Sequence, residues 1–161
     1  MNYPKELFKL IIDYVSKHFL IDIIRMGDIN CIKDDYNKLS LIQLLINNHN
    51  LDIDVNIQDD DDGCTALMRA IREDKLSLCK LLIDHKKIDI NIENKCGDTA
   101  LIWAVYKGNY EICKLLVDHK KIDVNIQDEY DGEAALMYAV KNENLEICKL
   151  LLDHKKIDVN I

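Results

Sequence analysis

The side chains best able to do chemistry in this sequence are six cysteines, five histidines and an unbroken run of aspartates at 59–62. Clustered carboxylates bind calcium, and the run ends at Gly63, where an EF-hand loop would make its sharp turn. That loop would also require an acid at position 58 and a glutamate at position 69, where the sequence has Gln58 and Arg69. The run therefore predicts a solvated acidic turn and no calcium site.

Metal and catalytic patterns are missing from the rest of the sequence. It contains no Cys-x-x-Cys pair and no His/Cys cluster at zinc spacing. His85, His119 and His154 lie a full repeat apart, too far to share a metal, and are predicted to cap helix ends. No glycine-rich phosphate loop, nucleophile elbow or His-Glu-x-x-His occurs. We therefore predict a protein that is not an enzyme and has no cofactor and no metal.

The elements that carry these residues recur at a fixed interval. Successive copies are 34 and 35 residues apart, as marked by Gly63, Gly97, Gly132, Cys79, Cys113 and Cys148. Self-similarity at this period indicates stacked supersecondary units, each of which buries its apolar face on its neighbours.

One copy predicts two helices and a projecting turn. Apolar residues recur at helical spacing after Thr99 and again after Asn109, and both are side-chain types that cap a helix start. The second helix is predicted to end at the Asp-His-Lys-Lys segment at 118–121, where positive charge suits the helix dipole. The β-branched and Asx/Gly-rich stretch that follows predicts an extended finger or hairpin.

These copies resemble ankyrin repeats over roughly the last two thirds of the sequence. The family's helix opening, Thr-Pro-Leu-His-x-Ala, corresponds to TALMRA at 65–70, TALIWA at 99–104 and AALMYA at 134–139. Its Leu-Leu and Asp-Val-Asn ending corresponds to Leu115, Leu116 and the segment 123–125. The family's Pro is replaced by alanine, and its His by Met68, Ile102 and Met137. The resemblance implies an all-α, ankyrin-type α-solenoid of helix-turn-helix repeats with short β-hairpin or finger loops.

The whole sequence, 1–161, is predicted to form a single ankyrin-repeat domain. Its segments are N-terminal capping helices at 1–26, a degenerate repeat at 27–62, and repeats at 63–96, 97–131 and 132–161. The segment 38–46 matches 75–83, which supports the degenerate repeat. Residues 3–15 also resemble the first helix of an F-box, a segment that recruits ubiquitin-ligase scaffolds, but the rest of that motif is absent and the cap is the favoured interpretation.

Composition limits the partners and the compartment. A net charge of −8 argues against nucleic acid, which requires a basic face. No stretch is apolar for the length of a membrane span, and the N-terminus lacks a signal-peptide core. Three cysteines recur at an apolar helical position, as reduced thiols do. A reducing, cytoplasmic location is therefore expected, with no membrane partner.

The expected function is binding of a protein or peptide on the fingertips and the outward side of the first helices, where ankyrin stacks usually bind. Positions there differ strongly between copies, whereas the apolar stripes hardly change. The fingertips also include Cys64 and Cys96, which are predicted to react quickly with alkylating reagents. The predicted partner-binding residues are Asp61, Asp62, Arg69, Arg72, Lys95, Asp98, Trp103, Tyr106, Lys107, Tyr130, Asp131, Glu133, Tyr138 and Lys141.

Two further expectations concern the last repeat. Ala134 stands where the other copies have a threonine cap, so one helix start is predicted to be uncapped. The final helix at 145–152 is as apolar as its internal counterparts, so its outer face is expected to be exposed. The alternative function is therefore a structural segment of a longer repeat array, or a scaffold that self-associates through the C-terminal repeat.

Overall fold

The computed structural model describes residues 54–161, which fold into six helices. The predicted capping helices at 1–26 and most of the degenerate repeat lie outside the described residues. The helices form three antiparallel pairs, one per repeat, joined by short loops. We number them α1 (Ala66–Arg72), α2 (Leu76–Ile83), α3 (Ala100–Tyr106), α4 (Tyr110–Val117), α5 (Ala135–Lys141) and α6 (Leu145–Leu152).

Side-chain caps fix where most of these helices begin. The hydroxyls of Thr65 and Thr99 accept the backbone N–H of the third residue of α1 and α3, each at 3.3 Å. The side chains of Asn109 and Asn144 accept the corresponding N–H of α4 and α6 at 3.1 Å. The predicted caps Thr99 and Asn109 are thus confirmed. Ala134 precedes α5 and offers no side-chain bond, so the predicted missing cap is confirmed as well.

The core lies between the two rows of helices. α1, α3 and α5 pack side by side in one row, α2, α4 and α6 form the other, and each repeat joins a helix from each row. Leu67, Leu101, Leu116 and Ile147 are among the fully buried side chains that fill the space between the rows. Each such leucine or isoleucine contributes about 1.5–3 kcal/mol relative to exposure, so the stripes read from the sequence hold the stack together.

A finger precedes the first helix of each repeat. The fingers comprise residues 57–64, 92–98 and 126–133. Equivalent backbone hydrogen bonds span them: Asp59 N–H to Cys64 O, Asn94 N–H to Asp98 O and Asp128 N–H to Glu133 O. Isolated antiparallel bridges join Gln58 to Thr65 and Gln127 to Ala134, and residues 54–161 contain no β-strand. The predicted finger loops are therefore short turns, and the solenoid is all-α.

A ladder of asparagine side chains joins successive repeats. Each asparagine stands just before a finger and bonds the loop that follows the second helix of the next repeat. Asn56 donates through Nδ2 to Lys87 O at 2.8 Å and accepts Asp89 N–H at 2.8 Å. Asn91 and Asn125 make the same pair of bonds to the next repeat. Each link satisfies a backbone donor and a backbone acceptor in the neighbouring loop, and so fixes the spacing of the stack.

Candidate protein-binding face

The candidate face consists of the three fingers together with α1, α3 and α5. Neighbouring fingers lie side by side, because Lys95 N–H donates to Asp62 O at 3.0 Å and Glu129 N–H donates to Cys96 O at 2.9 Å. Gly97 permits the second contact: its φ is +79°, and a Cβ at that position would lie 2.5 Å from the backbone nitrogen of Glu129. The fingers therefore form a continuous ledge with fixed spacing.

In the first described repeat, Arg69 of α1 is buried against its own finger. Its Nε donates to Asp59 Oδ2 at 2.7 Å, and its guanidinium also contacts Asp62. Only 4% of each side chain, Arg69 and Asp59, is exposed. Burial opposes ionisation of Asp59, but bonds from Arg69 and Asp62 outweigh it and hold its pKa below the ordinary value. The expectations that Arg69 lies on the exposed surface and that the whole acidic turn is solvated are wrong, because Arg69 and Asp59 form a buried ion pair.

In the second repeat, an asparagine replaces the buried aspartate and leaves an aromatic side chain unpaired. Asn94 satisfies its own finger by accepting N–H groups of Cys96 and Asp98 and by donating to Asp98 Oδ2 at 3.1 Å. Trp103, at the position of Arg69, is half-buried, and its Nε1 lies near the Asp98 carboxylate without a well-formed hydrogen bond among residues 54–161. Burial, with a smaller contribution from the charge of Asp128, raises the pKa of the Asp98 carboxyl.

In the third repeat, Tyr138 of α5 takes the same position and bonds its own finger. Its hydroxyl donates to Asp128 Oδ2 at 3.0 Å. Asp128 also accepts backbone N–H groups of Tyr130, Asp131 and Glu133. These bonds outweigh its burial and lower its pKa, whereas burial and the Asp128 carboxylate raise the pKa of Tyr138. Tyr138 therefore packs against the third finger and stabilises it.

Asp59 and Asp128 organise their fingers, although sequence analysis did not single them out. Both stand four residues before the finger glycine, and both are buried. That recurrence was the available signal. The acidic neighbours of Asp59 and the variation of the partner side chain between Arg69 and Tyr138 obscured it.

Charges on the face are largely paired within the chain. Arg72 Nη1 lies 3.6 Å from Asp62 Oδ2, and Lys141 Nζ forms an ion pair with Glu133. Together with Arg69, these pairs join bases of the first helices to acids of the fingers. In the sequence, the predicted contact residues of the fingers are mainly acidic and those of the first helices mainly basic. Because several of these acids and bases pair with each other, the face presents less unpaired charge than the sequence suggests.

Two tyrosines stand out from this face into solvent. Tyr106, the last residue of α3, is 62% exposed, and Tyr130, on the third finger, is 82% exposed. α3 runs away from the finger ledge and has seven residues, so its length alone separates its two ends by about 10 Å. Tyr106 thus lies at the end of the candidate face away from the fingers, and Tyr130 lies at the finger end.

The fourteen predicted contact residues differ in their accessibility. Those largely exposed are Asp61, Lys95, Tyr106, Lys107, Tyr130, Asp131 and Lys141. Those partly buried are Asp62, Arg72, Asp98, Trp103, Glu133 and Tyr138, and Arg69 is buried. The fold thus brings the set to one face, with the most accessible members in the second and third repeats.

One fingertip cysteine does not lie where the sequence suggested. Cys64 is 2% exposed, whereas Cys96 of the second finger is partly accessible. Burial raises the pKa of the Cys64 thiol to about 12, and the neighbouring carboxylate of Asp62 adds to the shift. The prediction that Cys64 reacts quickly is therefore contradicted, because the thiolate is the reactive form and burial suppresses it.

The described residues contain neither a metal-binding cluster nor a membrane-spanning helix. Between 54 and 161, no group of three or more histidine, cysteine or acidic side chains could hold a metal ion. None of the helices in that range has the length and apolar character needed to cross a membrane.

The fold defines the class of protein: a stack of helical hairpins with projecting fingers is a helical repeat solenoid. A family model described as ankyrin repeats (3 copies) matches residues 29–128 and 87–161, so the chain belongs to the ankyrin-repeat family. Proteins of this family generally act as non-enzymatic modules for protein–protein interaction.

A solved structure supports this assignment. The chain is similar to EF0377, an ankyrin repeat protein, with 25% sequence identity and a TM-score of 0.71. The match covers 90% of this chain and 65% of that one. No curated protein sequence matches the chain.

Proposed function

We propose that this chain is a non-catalytic module that binds a protein or peptide on the fingers and the first helices. The observation that carries the proposal is the exposure of Tyr106 and Tyr130 at the two edges of that face. Tyrosine is over-represented among the residues that dominate binding energy, because its ring buries a large area with few rotatable bonds. Exposed aromatics on a rigid scaffold therefore suit recognition better than catalysis.

The pairing of charges within the face refines the expected partner. Arg69, Arg72 and Lys141 already contact acids of their own fingers, so a partner gains little by pairing with them. Lys107 and Asp131 remain exposed, one beside each tyrosine. The preferred ligand is a segment with apolar or aromatic side chains spaced to reach both rings, flanked by polar groups.

The net charge and the cysteines bear on the nature of the partner and on the cellular compartment. A net charge of −8 disfavours nucleic acid as the partner. All five described cysteines are free thiols, which suits a reducing, cytoplasmic compartment. The proposed partner is therefore another intracellular protein.

Replacing the two tyrosines tests the proposed site. A partner recovered from native cytosol with the immobilised chain would be measured by calorimetry against Tyr106→Ala, Tyr130→Ala and the double variant. Each substitution should cost about 2 kcal/mol of binding free energy, roughly thirtyfold in Kd, because each removes an anchor of the contact. The unfolding midpoint should hardly change, since both rings are exposed.

Tyr110→Ala is the matched control. Tyr110 is the first residue of α4, in the other row of helices, and is 37% exposed. Its removal should leave affinity unchanged. If every recovered partner binds the double variant as tightly as the native chain, the face is assigned wrongly.

A further inference from the structure

Lysines recur where each second helix ends. The segments 80–87, 114–121 and 149–156, which we call the lysine row, each cover the last part of a second helix and the loop after it. Each segment contains three lysines and one aspartate, and all nine lysines are exposed. The row therefore has a net charge of +6, and the rest of the chain has a charge of −14 to give the total of −8.

Two equivalent open grooves lie along the lysine row, each between neighbouring repeats. Their volumes are about 560 and 540 Å³, a size that suits ligand binding. Apolar side chains contribute to the lining of both: Ile83 and Leu115 in the first groove, and Val117 and Leu150 in the second. All the lining residues belong to second helices and the loops that follow them. The grooves are therefore separate from the proposed binding face.

The charged side chains around each groove favour an anionic ligand. Three lysines and two aspartates line each groove, so each groove has a net positive charge. Lys120 lines both of them. The helix dipole accounts for lysines at the carbonyl end of a helix, but it does not account for apolar side chains in an open groove beside them. Charge and apolar surface together indicate a ligand that has both acidic and apolar groups.

Histidines supply the first groove with hydrogen-bond donors. His85 and His119 are both among its lining residues. Nδ1 of each ring accepts a backbone N–H of its own loop, at 3.3 and 3.4 Å. The proton of the neutral ring is therefore on Nε2, which can donate to a ligand. A main-chain carbonyl that makes no hydrogen bond within the ligand itself is a suitable acceptor.

The spacing of the grooves limits the conformation of a ligand that enters both. α2, α4 and α6 pack side by side, and helices in contact lie about 8–10 Å apart. A polyproline II segment rises about 3.1 Å per residue with three residues per turn, so every third side chain faces the same way at intervals of about 9.3 Å. A β-strand repeats every second residue, which gives intervals of about 6.7 or 13 Å. The polyproline II conformation therefore fits the row better.

We propose that the lysine row binds an acidic segment of a partner protein in the polyproline II conformation, with an apolar residue at every third position. The apolar side chains enter the grooves, and the carboxylates between them pair with the lysines. Nε2 of His85 and of His119 donates to carbonyl oxygens of the segment, which a polyproline II chain leaves free. This inference is independent of the proposed function, because the two surfaces share no residue.

A synthetic peptide tests the proposal. Four copies of the unit Leu-Glu-Pro carry apolar and acidic groups at the required period, and fluorescence anisotropy measures Kd for the labelled peptide and the full chain at low ionic strength. Replacing every leucine by serine should weaken binding at least about tenfold, because the grooves stay empty. Replacing every glutamate by glutamine should have a similar effect, because the charge pairs are lost. One glycine inserted into each unit changes the period to four and should also weaken binding about tenfold.

One exposed lysine of the chain provides the matching variant. Lys120→Glu reverses a charge beside both grooves and should weaken binding of the Leu-Glu-Pro peptide at least about fivefold. Lys75→Glu is the control, because Lys75 is also exposed but precedes α2 at the end away from the row. It makes the same change in net charge and should leave Kd within about twofold. Circular dichroism checks that both variants are folded.

Four results would overturn the proposal. The first is the absence of saturable binding up to about 100 µM chain, a concentration at which a contact of this kind is measurable. The second is equally tight binding of the serine peptide, which would make the row an unspecific site for anions. The third is the same loss in both lysine variants. The fourth is tighter binding of duplex DNA, or of vesicles with equal parts phosphatidylserine and phosphatidylcholine, which would assign the row to nucleic acid or to a membrane.

Discussion

The thiols illustrate how a single residue's surroundings set its chemistry. Cys64, Cys79 and Cys113 are almost completely buried, and burial raises the pKa of each to about 12. Cys96 is on the exposed ledge of the fingers and partly accessible. Timed alkylation followed by mass spectrometry should label Cys96 first and leave the three buried thiols unmodified until the protein unfolds.

Urea provides the control, because all thiols should react at similar rates once the chain is unfolded. Rapid labelling of Cys64 in the folded chain would show that the first finger opens. A disulfide between any two of the five described cysteines, which are free in this structure, would contradict both the burial and the compartment proposed.

At the scale of single residues, the sequence does not show which buried side chains pair with each other. The helical register predicted Arg69 on the outward side of α1, available to a partner. Whether it reaches solvent depends on Asp59, ten residues earlier, whose carboxylate the finger turns inward. A turn that brings two residues together is set by backbone dihedrals, and sequence pattern alone does not specify these. The pattern specifies helices well because their period is fixed.

Among the elements, α5 alone of the first-row helices begins without a side-chain cap. Ala134 is 2% exposed, while the threonines at the equivalent positions, Thr65 and Thr99, are buried to a similar extent and fit there. Ala134→Thr should therefore raise the free energy of unfolding by about 1 kcal/mol, because its hydroxyl can accept Met137 N–H, which in the native chain bonds the Ala134 carbonyl. Urea denaturation followed by circular dichroism measures the change.

Thr99→Ala is the reciprocal variant and should lower stability by a similar amount. If Ala134→Thr leaves the urea midpoint unchanged or lowers it, the start of α5 is not arranged as the other two helix starts are.

The fingers depend on one glycine more than on the others. Gly97→Ala places a Cβ 2.5 Å from Glu129 N in addition to straining a φ of +79°. Gly108→Ala strains a similar φ of +69°, but its nearest atom is 3.7 Å away. Gly97→Ala should therefore cost roughly 2–3 kcal/mol and Gly108→Ala about 1 kcal/mol in urea denaturation.

The difference between the two glycine variants isolates the contact between fingers from the backbone strain that both share. Equal losses would mean that the second and third fingers are not packed as closely as the structure shows. The sequence marked Gly97 as a recurrent turn residue, but it did not show that its surroundings are crowded, because the crowding comes from the neighbouring repeat.

At the scale of the whole molecule, two loops make the free energy of unfolding depend on pH. They follow α2 and α4, and we call them the histidine loops because they contain His85 and His119. Nδ1 of His85 accepts Lys87 N–H at 3.3 Å, and Nδ1 of His119 accepts Lys121 N–H at 3.4 Å. Burial, followed by the charge of neighbouring lysines, lowers the pKa of both histidines from 6.5. The folded state therefore favours the neutral rings. Their contribution is complete above about pH 6.5 and is lost as the pH falls below it.

The urea midpoint should thus be lower at about pH 5.5 than at about pH 7.5, the range in which histidine titrates. In the variant with both His85→Asn and His119→Asn, the asparagine oxygen can accept the same N–H but does not titrate in this range. This variant should show a smaller pH dependence, and other titrating groups cancel in the comparison. An identical pH dependence in both proteins would rule out the histidine loops as its source.

The asparagine ladder has a consequence for how such a chain can evolve. Each link joins one asparagine to main-chain atoms of the next loop, as Asn91 does with Lys121 O and Asp123 N–H. Since every residue type except proline supplies both groups, the link places almost no demand on the identity of the neighbour. Repeats can then be duplicated, exchanged or allowed to diverge on their fingers while adhesion to the adjacent repeat persists. Gene segments that encode single repeats can therefore be exchanged, and new binding surfaces can be selected without changing the hydrogen bonds between repeats.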